Sequence, residues 1–156
     1  MVQYLSPIIA HSRTLAEKEA FRLIAYSSAV LPDLEGKVGE VVVADILQSG
    51  VSFAVNARRC IENSNANPTI TARRWDYKLE KGIQVEENLK RALNGIIHAR
   101  QLRIHTVRAP TGVFENHSNG LVLHFTYETD RYPETYVDIF GMCWAFVSTP
   151  QPESVH

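Results

Sequence analysis

"TYVDIFGMCWAFV", residues 135–147, carries a single charge, Asp138, and no polar side chain from Ile139 to Val147. Read with a period of two it is a strand with two apolar faces. Val137, Ile139, Cys143, Ala145 and Val147 form an aliphatic face, and Tyr136, Phe140, Met142, Trp144 and Phe146 form an aromatic one. An antiparallel sheet in a two-layer domain normally leaves one face to water, so an aromatic second face calls for cover. Aromatic residues and Met are enriched at interfaces, and two-fold dimers are the commonest oligomers. The expectation is a homodimer through the C-terminal sheet. Tyr136, Asp138, Phe140, Met142, Trp144 and Phe146 would form its interface, or the wall of a small-molecule pocket.

Outward from this stretch the period stays at two. In "RQLRIHTVR", residues 100–108, Leu102 and Ile104 alternate with Arg103 and His105. The stretch 120–129 alternates Leu121, Leu123, Phe125 and Tyr127 against Val122, His124 and Thr126, and Asn119–Gly120 before it is a hairpin signal. Upstream the period becomes helical. Ala16, Ala20, Leu23, Ile24 and Leu31 mark a helix over about 13–31, with Thr14 and Glu17 as a capping box and Pro32 as its stop. "EVVVADILQSGVSFAV" lies within a second helix, about 37–63, apolar almost all round and therefore expected at the buried centre. Ser49–Gly50 is a possible kink, and "EVVVAD" is the one part that also suits a strand. "VEENLKRALNGIIHA" gives a third helix, about 84–99.

These elements specify an α+β fold, with N-terminal helices packed on one face of a C-terminal antiparallel sheet over about 100–109, 120–129 and 134–147. Residues 1–150 read as one domain and 151–156 as a loose tail. "TITARRWDYKLEKG" between the second and third helices reads as an edge strand or extended arm.

Composition limits the function classes. The 156-residue chain has a net charge of −1 and a pI near 6.6, which gives no overall bias towards nucleic acid or acidic membranes. The charge is unevenly spread. Residues 58–108 hold 11 basic and 5 acidic groups, whereas residues 109–156 hold 1 basic and 6 acidic. Blocks of opposite sign in one short chain are most simply complementary to each other. There is no signal-peptide pattern, and no uninterrupted apolar run of the roughly 18–20 residues that a spanning helix needs. Cys60 and Cys143 give neither zinc spacing nor a disulfide framework, so a reduced, cytoplasmic setting without metal or cofactor is expected.

Three constellations carry possible chemistry. Arg91 and His98 lie two turns apart on one helical face, and Arg100 and His105 repeat the pairing at shorter spacing. The spacing is similar to that of HEPN-type endoribonucleases. That resemblance implies RNA cleavage, with His98 moving a proton and Arg91 stabilising charge at phosphorus. That family is all-helical, and composition alone generates about one such spacing in a chain with these Arg and His contents. Second, Arg103, His105, His124, Tyr136 and Asp138 would share a sheet face if their strands are neighbours. Third, Arg58, Arg59, Arg73, Arg74, Trp75 and Arg103 are candidates for nucleic-acid contact, with Trp75 available for stacking. The leading expectation is a non-enzymatic interaction or ligand-binding module, with an RNA-directed enzyme or a nucleic-acid-binding accessory protein as the alternative.

Overall fold

The computed structural model describes residues 7–72, 84–109, 114 and 119–149. In chain order it holds helix α1 (Pro7–Ser28), strand β1 (Leu31–Pro32), helix α2 (Lys37–Ser64), strand β2 (Gln84–Val85), helix α3 (Leu89–Ile97), strands β3 (Gln101–Arg108), β4 (Asn119–Glu128) and β5 (Thr135–Asp138), and helix α4 (Ile139–Val147). The α+β arrangement is as expected, with helices leading and a mainly antiparallel sheet behind.

The sheet is built around β4. Strand β3 pairs along one of its edges, with Arg103 opposite Thr126 and His105 opposite His124. The other edge is shared by β1, with Leu31 opposite Gly120, and β5, with Phe125 opposite Val137. Strand β2 then pairs with β5 in the parallel sense. A bulge between His105 and Thr106 shifts the register, so that Val122 joins the core while its neighbours Leu121 and Leu123 do not.

The stretch 135–147 is not one strand, as expected, but a strand followed by a helix. Its strand ends at Asp138, and Ile139–Val147 is helical. A short run that is apolar throughout fits either period, so the local capping group decides. Asp138 stands in an extended conformation and its Oδ1 accepts from the Gly141 N–H at 2.6 Å, an N-cap that starts α4. The two supposed faces therefore merge. Ile139, Met142, Cys143 and Phe146 recur at helical spacing and are buried, whereas Phe140 and Trp144 stack on each other further out, 6.0 Å apart. Phe146 meets Phe53 of α2 edge-on at 5.5 Å, and the Arg13 guanidinium of α1 lies 4.3 Å from its ring centre. Helix α4 thus belongs to the helical layer.

Smaller differences have equally local causes. Helix α1 starts at Pro7, whose fixed φ suits a first helical position, so Ser12 and Thr14 lie inside it; Thr14 Oγ1 donates back to the Ala10 carbonyl at 3.2 Å instead of capping. It ends at Ser28, three residues short of the expected Leu31, which pairs in β1 instead. Helix α3 begins at Leu89 because Gln84–Val85 pair with β5, and Asn88 caps it by accepting from the Arg91 N–H at 3.0 Å. Asn119 and Gly120 are the first residues of β4 and not a two-residue turn; the Asn119 side chain bonds the backbone of Phe114.

Helix α2 runs unbroken from Lys37 to Ser64. Gly50 serves close approach: a Cβ there would stand 2.5 Å from the Phe125 ring. Among the described helices α2 alone is long and apolar enough to cross a membrane by length and composition. Its inner side, through Ile46, Phe53, Ala54, Ala57 and Ile61, forms part of the protein's own core. The expectation of all-round burial is corrected, since Val38, Val41, Val51 and Val55 are exposed.

Candidate ligand cavity

Helix α3 has two sides with different duties. Leu89, Ala92, Leu93 and Ile96 are buried in the core. Arg91, Asn94, Gly95 and His98, at helical spacings of three, one and three residues, face a cavity of about 760 Å³. The facing wall is Tyr127 of β4, Thr135 of β5 and the turn Thr129–Tyr132; Gln84, Val85 and Glu86 close one end, and Arg58 of α2 reaches in from the helical layer. The size lies within the roughly 300–1,000 Å³ typical of small-molecule sites. Gly95 makes the depth possible, because a Cβ there would lie 2.2 Å from the Tyr127 ring.

The polar groups of this wall are held in place by one another. Glu86 Oε1 pairs with Arg91 Nε at 3.2 Å, while its Oε2 accepts from the Glu87 and Asn88 N–H groups at 3.1 and 3.3 Å. Arg58 Nε pairs with Glu62 at 2.8 Å, and Asp130 pairs with Arg100. Arg100–Asp130 also joins the basic middle of the chain to its acidic last third. Both carboxylates on the cavity wall are thus engaged by arginines. Arg131 is exposed and makes no ion pair among the described residues. Of the three guanidiniums on the wall, Arg58 is paired with Glu62 and Arg91 with Glu86, which leaves Arg131 as the one open to an anion among the described residues. Asn94 Oδ1 is buried with no hydrogen-bond partner. Tyr127 is 2% exposed. Burial, reinforced by the Glu86 carboxylate, pushes its phenol far above the usual range, so it acts as a neutral hydroxyl.

The sequence pairing of Arg91 with His98 is therefore realised in space: both are exposed and both line this cavity. The second constellation also comes together. His105, His124 and Asp138 occupy one row across β3, β4 and β5, and Arg103, Thr126 and Tyr136 the next. The His105 and His124 rings stack at 4.5 Å and 4°, and Tyr136 lies over His124 at 4.3 Å. Yet His124 is only 3% exposed. Burial first, and the neighbouring His105 second, lower its pKa to about 4, so the ring is neutral near pH 7. Asp138 is engaged in capping α4. This row is a stacked structural ladder, separate from the cavity. Among the described residues no three His, Cys, Asp or Glu side chains converge on a metal site.

The nucleic-acid candidates disperse. Arg58 faces the cavity, and Arg59 is exposed on α2 with Nη1 3.5 Å from Ser12 Oγ of α1. Arg103 stands on the sheet face opposite to Leu102 and Ile104, which pack on the core. Arg73, Arg74 and Trp75 lie outside the described residues. Of the C-terminal candidates, Met142 and Phe146 are core, and Trp144 alone is exposed, at 50%. Sequence reading missed Asn94, Gly95, Tyr127, Arg131 and Tyr132. The first two were legible as members of the Arg91–His98 face; the others reach the cavity only through strand pairing and the turn after β4.

Comparison with family models, with curated proteins and with solved structures finds no match to this chain.

Proposed function

We propose that this protein is a ligand-binding module whose site is the α3–β4–β5 cavity, and that its ligand is a small anion of nucleotide size. The observation that carries the reading is the convergence of Arg58, Arg91 and Arg131 on one cavity, where Arg58 and Arg91 are held in place by Glu62 and Glu86 and Arg131 makes no ion pair among the described residues. Tyr132, 55% exposed, offers ring surface beside them, and Asn94, Thr129 and Thr135 offer neutral hydrogen-bonding groups. That mixture suits a phosphate or carboxylate attached to a planar ring. The free, buried thiols of Cys60 and Cys143 suit a reducing compartment, in keeping with a cytoplasmic module.

Thermal unfolding in the presence of nucleoside monophosphates, their unphosphorylated nucleosides and aromatic carboxylates tests this. A ligand that binds only the folded chain raises its melting temperature. Anionic members should do so and neutral nucleosides should not. Arg91→Ala and Arg131→Ala should each abolish the shift. Equal shifts with neutral nucleosides, or none with any anion, would sink the reading.

A second reading has one specific observation in its favour: Arg91 and His98 share the cavity. In that reading RNA enters it, Arg91 stabilises charge on phosphorus and His98 moves a proton. Incubation with short RNAs decides it. Cleavage that disappears in folded His98→Ala supports the enzyme, and intact RNA with the unmodified protein leaves the binding module.

A further inference from the structure

We infer that a second cavity, between residues 66–72 and the last turn of α4, is a site for a neutral saccharide, with Trp144 as the platform for a sugar ring. The cavity measures about 390 Å³ and shares no described residue with the α3–β4–β5 cavity. Its size is again that of a small-molecule site. Its chemistry is different. The described lining carries no charged side chain, but holds the hydroxyls of Thr69, Thr71, Ser148 and Thr149, the Asn67 amide and the Trp144 indole.

Each of these groups is held by the fold. Trp144 is 50% exposed in a helix whose other side is core, and Phe140 stacks on it at 6.0 Å and 10°, which fixes the ring plane. Ile70 is buried, and its N–H donates to the Glu87 carbonyl at 2.6 Å, while Thr69 and Thr71 on either side of it are exposed. Alternation along an extended chain sends both threonine hydroxyls to one side. Gly141 lets this segment lie against the start of α4, since a Cβ there would stand 2.0 Å from the Ala72 carbonyl oxygen. Ser148 Oγ donates to the Trp144 carbonyl and Thr149 Oγ1 to the Ala145 carbonyl, both at 2.6 Å. Each of those hydroxyls thus offers only its lone pairs to a ligand. Asn67 Oδ1 accepts from Asn88 Nδ2 at 2.9 Å, which turns the Asn67 amide into a donor.

The result is a flat apolar ring edged by fixed acceptors, one donor and two hydroxyls that can do either. A sugar ring is its complement: one face of C–H groups to lie on the indole, and a rim of hydroxyls that donate and accept. A purely apolar ligand would strip water from the polar edge without replacing its hydrogen bonds. An anion would meet no cation among the described lining residues.

Saturation-transfer NMR and titration with maltotriose, cellotriose, xylotriose and chitotriose, with a galacturonate trimer and a proline-rich peptide beside them, test the assignment. At least one neutral trisaccharide should bind. Trp144→Ala should raise its Kd about tenfold, the loss of one stacking contact. Phe21→Ala, which removes an equally exposed ring on α1, should leave the Kd unchanged. Should Trp144→Ala fail to fold, Thr71→Val on the exposed edge must show the weakening instead. Binding of none of the four neutral sugars would overturn the inference, as would tighter binding of the galacturonate trimer or the peptide. So would a Kd unmoved by both Trp144→Ala and Thr71→Val.

Discussion

Two places in this fold bring histidine together with arginine and tyrosine, and they differ in one respect, access. At the end of the sheet, His98, Arg91 and Tyr132 stand around an open cavity. On the sheet's face, His105, His124 and Tyr136 are stacked ring on ring, and the middle ring is shut off from water. The cavity leaves the Arg131 guanidinium outside any ion pair among the described residues and open to a ligand. The ladder has committed its surfaces to neighbouring strands. Residue types alone do not separate a site from a scaffold; solvent access does, because a buried histidine loses its charge and its reach.

The largest effect expected from this contrast is on stability at the ladder. His124→Ala deletes a buried ring between two others and should cost about 2–4 kcal/mol, measured by denaturant unfolding. His98→Ala should stay within about 0.5 kcal/mol, as exposed changes usually do. Comparable losses at both would erase the distinction.

Acid should sharpen it. The folded-state pKa of His124 is lowered from 6.5 to about 4, so folding favours the neutral ring. Its contribution is complete above about pH 6.5 and is lost as pH falls through about 4, totalling about 3 kcal/mol. Unfolding free energy followed from pH 7.5 to 4 should fall accordingly, and the slope between pH 6.5 and 4 should flatten in His124→Leu.

A third change separates binding from stability within the cavity. Gly95→Ala drives a methyl into the Tyr127 ring and should cost about 1–3 kcal/mol while shrinking the cavity. Titration with the anion identified by thermal shift should show affinity lost as well. The smallest structural effect is expected at Glu86→Gln. The Arg91 side chain is 68% exposed, so breaking this pair should change stability by less than about 1 kcal/mol. It should still weaken anion binding, because the carboxylate that orients Arg91 is gone. Unchanged affinity in Glu86→Gln would show that Arg91 needs no such support.

The cavity was half legible. Arg91 and His98 were singled out from helical spacing, and the same spacing pointed to Asn94 and Gly95. Tyr127 stands in the sequence only as one member of the Leu121–Tyr127 alternation, and nothing in its neighbourhood announces that α3 will cross its ring at a glycine. Arg131 and Tyr132 sit in a turn without periodicity. The ladder residues were named together, but whether they met depended on β5 joining β4, which pairs His124 with Asp138.

Local chemistry determined most of the elements. Alternation marked β3 and β4, and periodicity marked α2 and the core of α3, because each pattern admits one way of facing a core. Asp138 and the nine residues after it show where that ends. With no polar residue to break the run, the pattern suited strand and helix alike, and a single capping carboxylate together with the space beside Phe53 and Arg13 made it α4. Which faces stayed open was likewise a tertiary decision. Helix α2 is apolar on nearly every side, and only the packing of α1, α3 and the sheet chose the side left to solvent. Periodicity is a property of one segment, but exposure is a property of what the other segments leave uncovered.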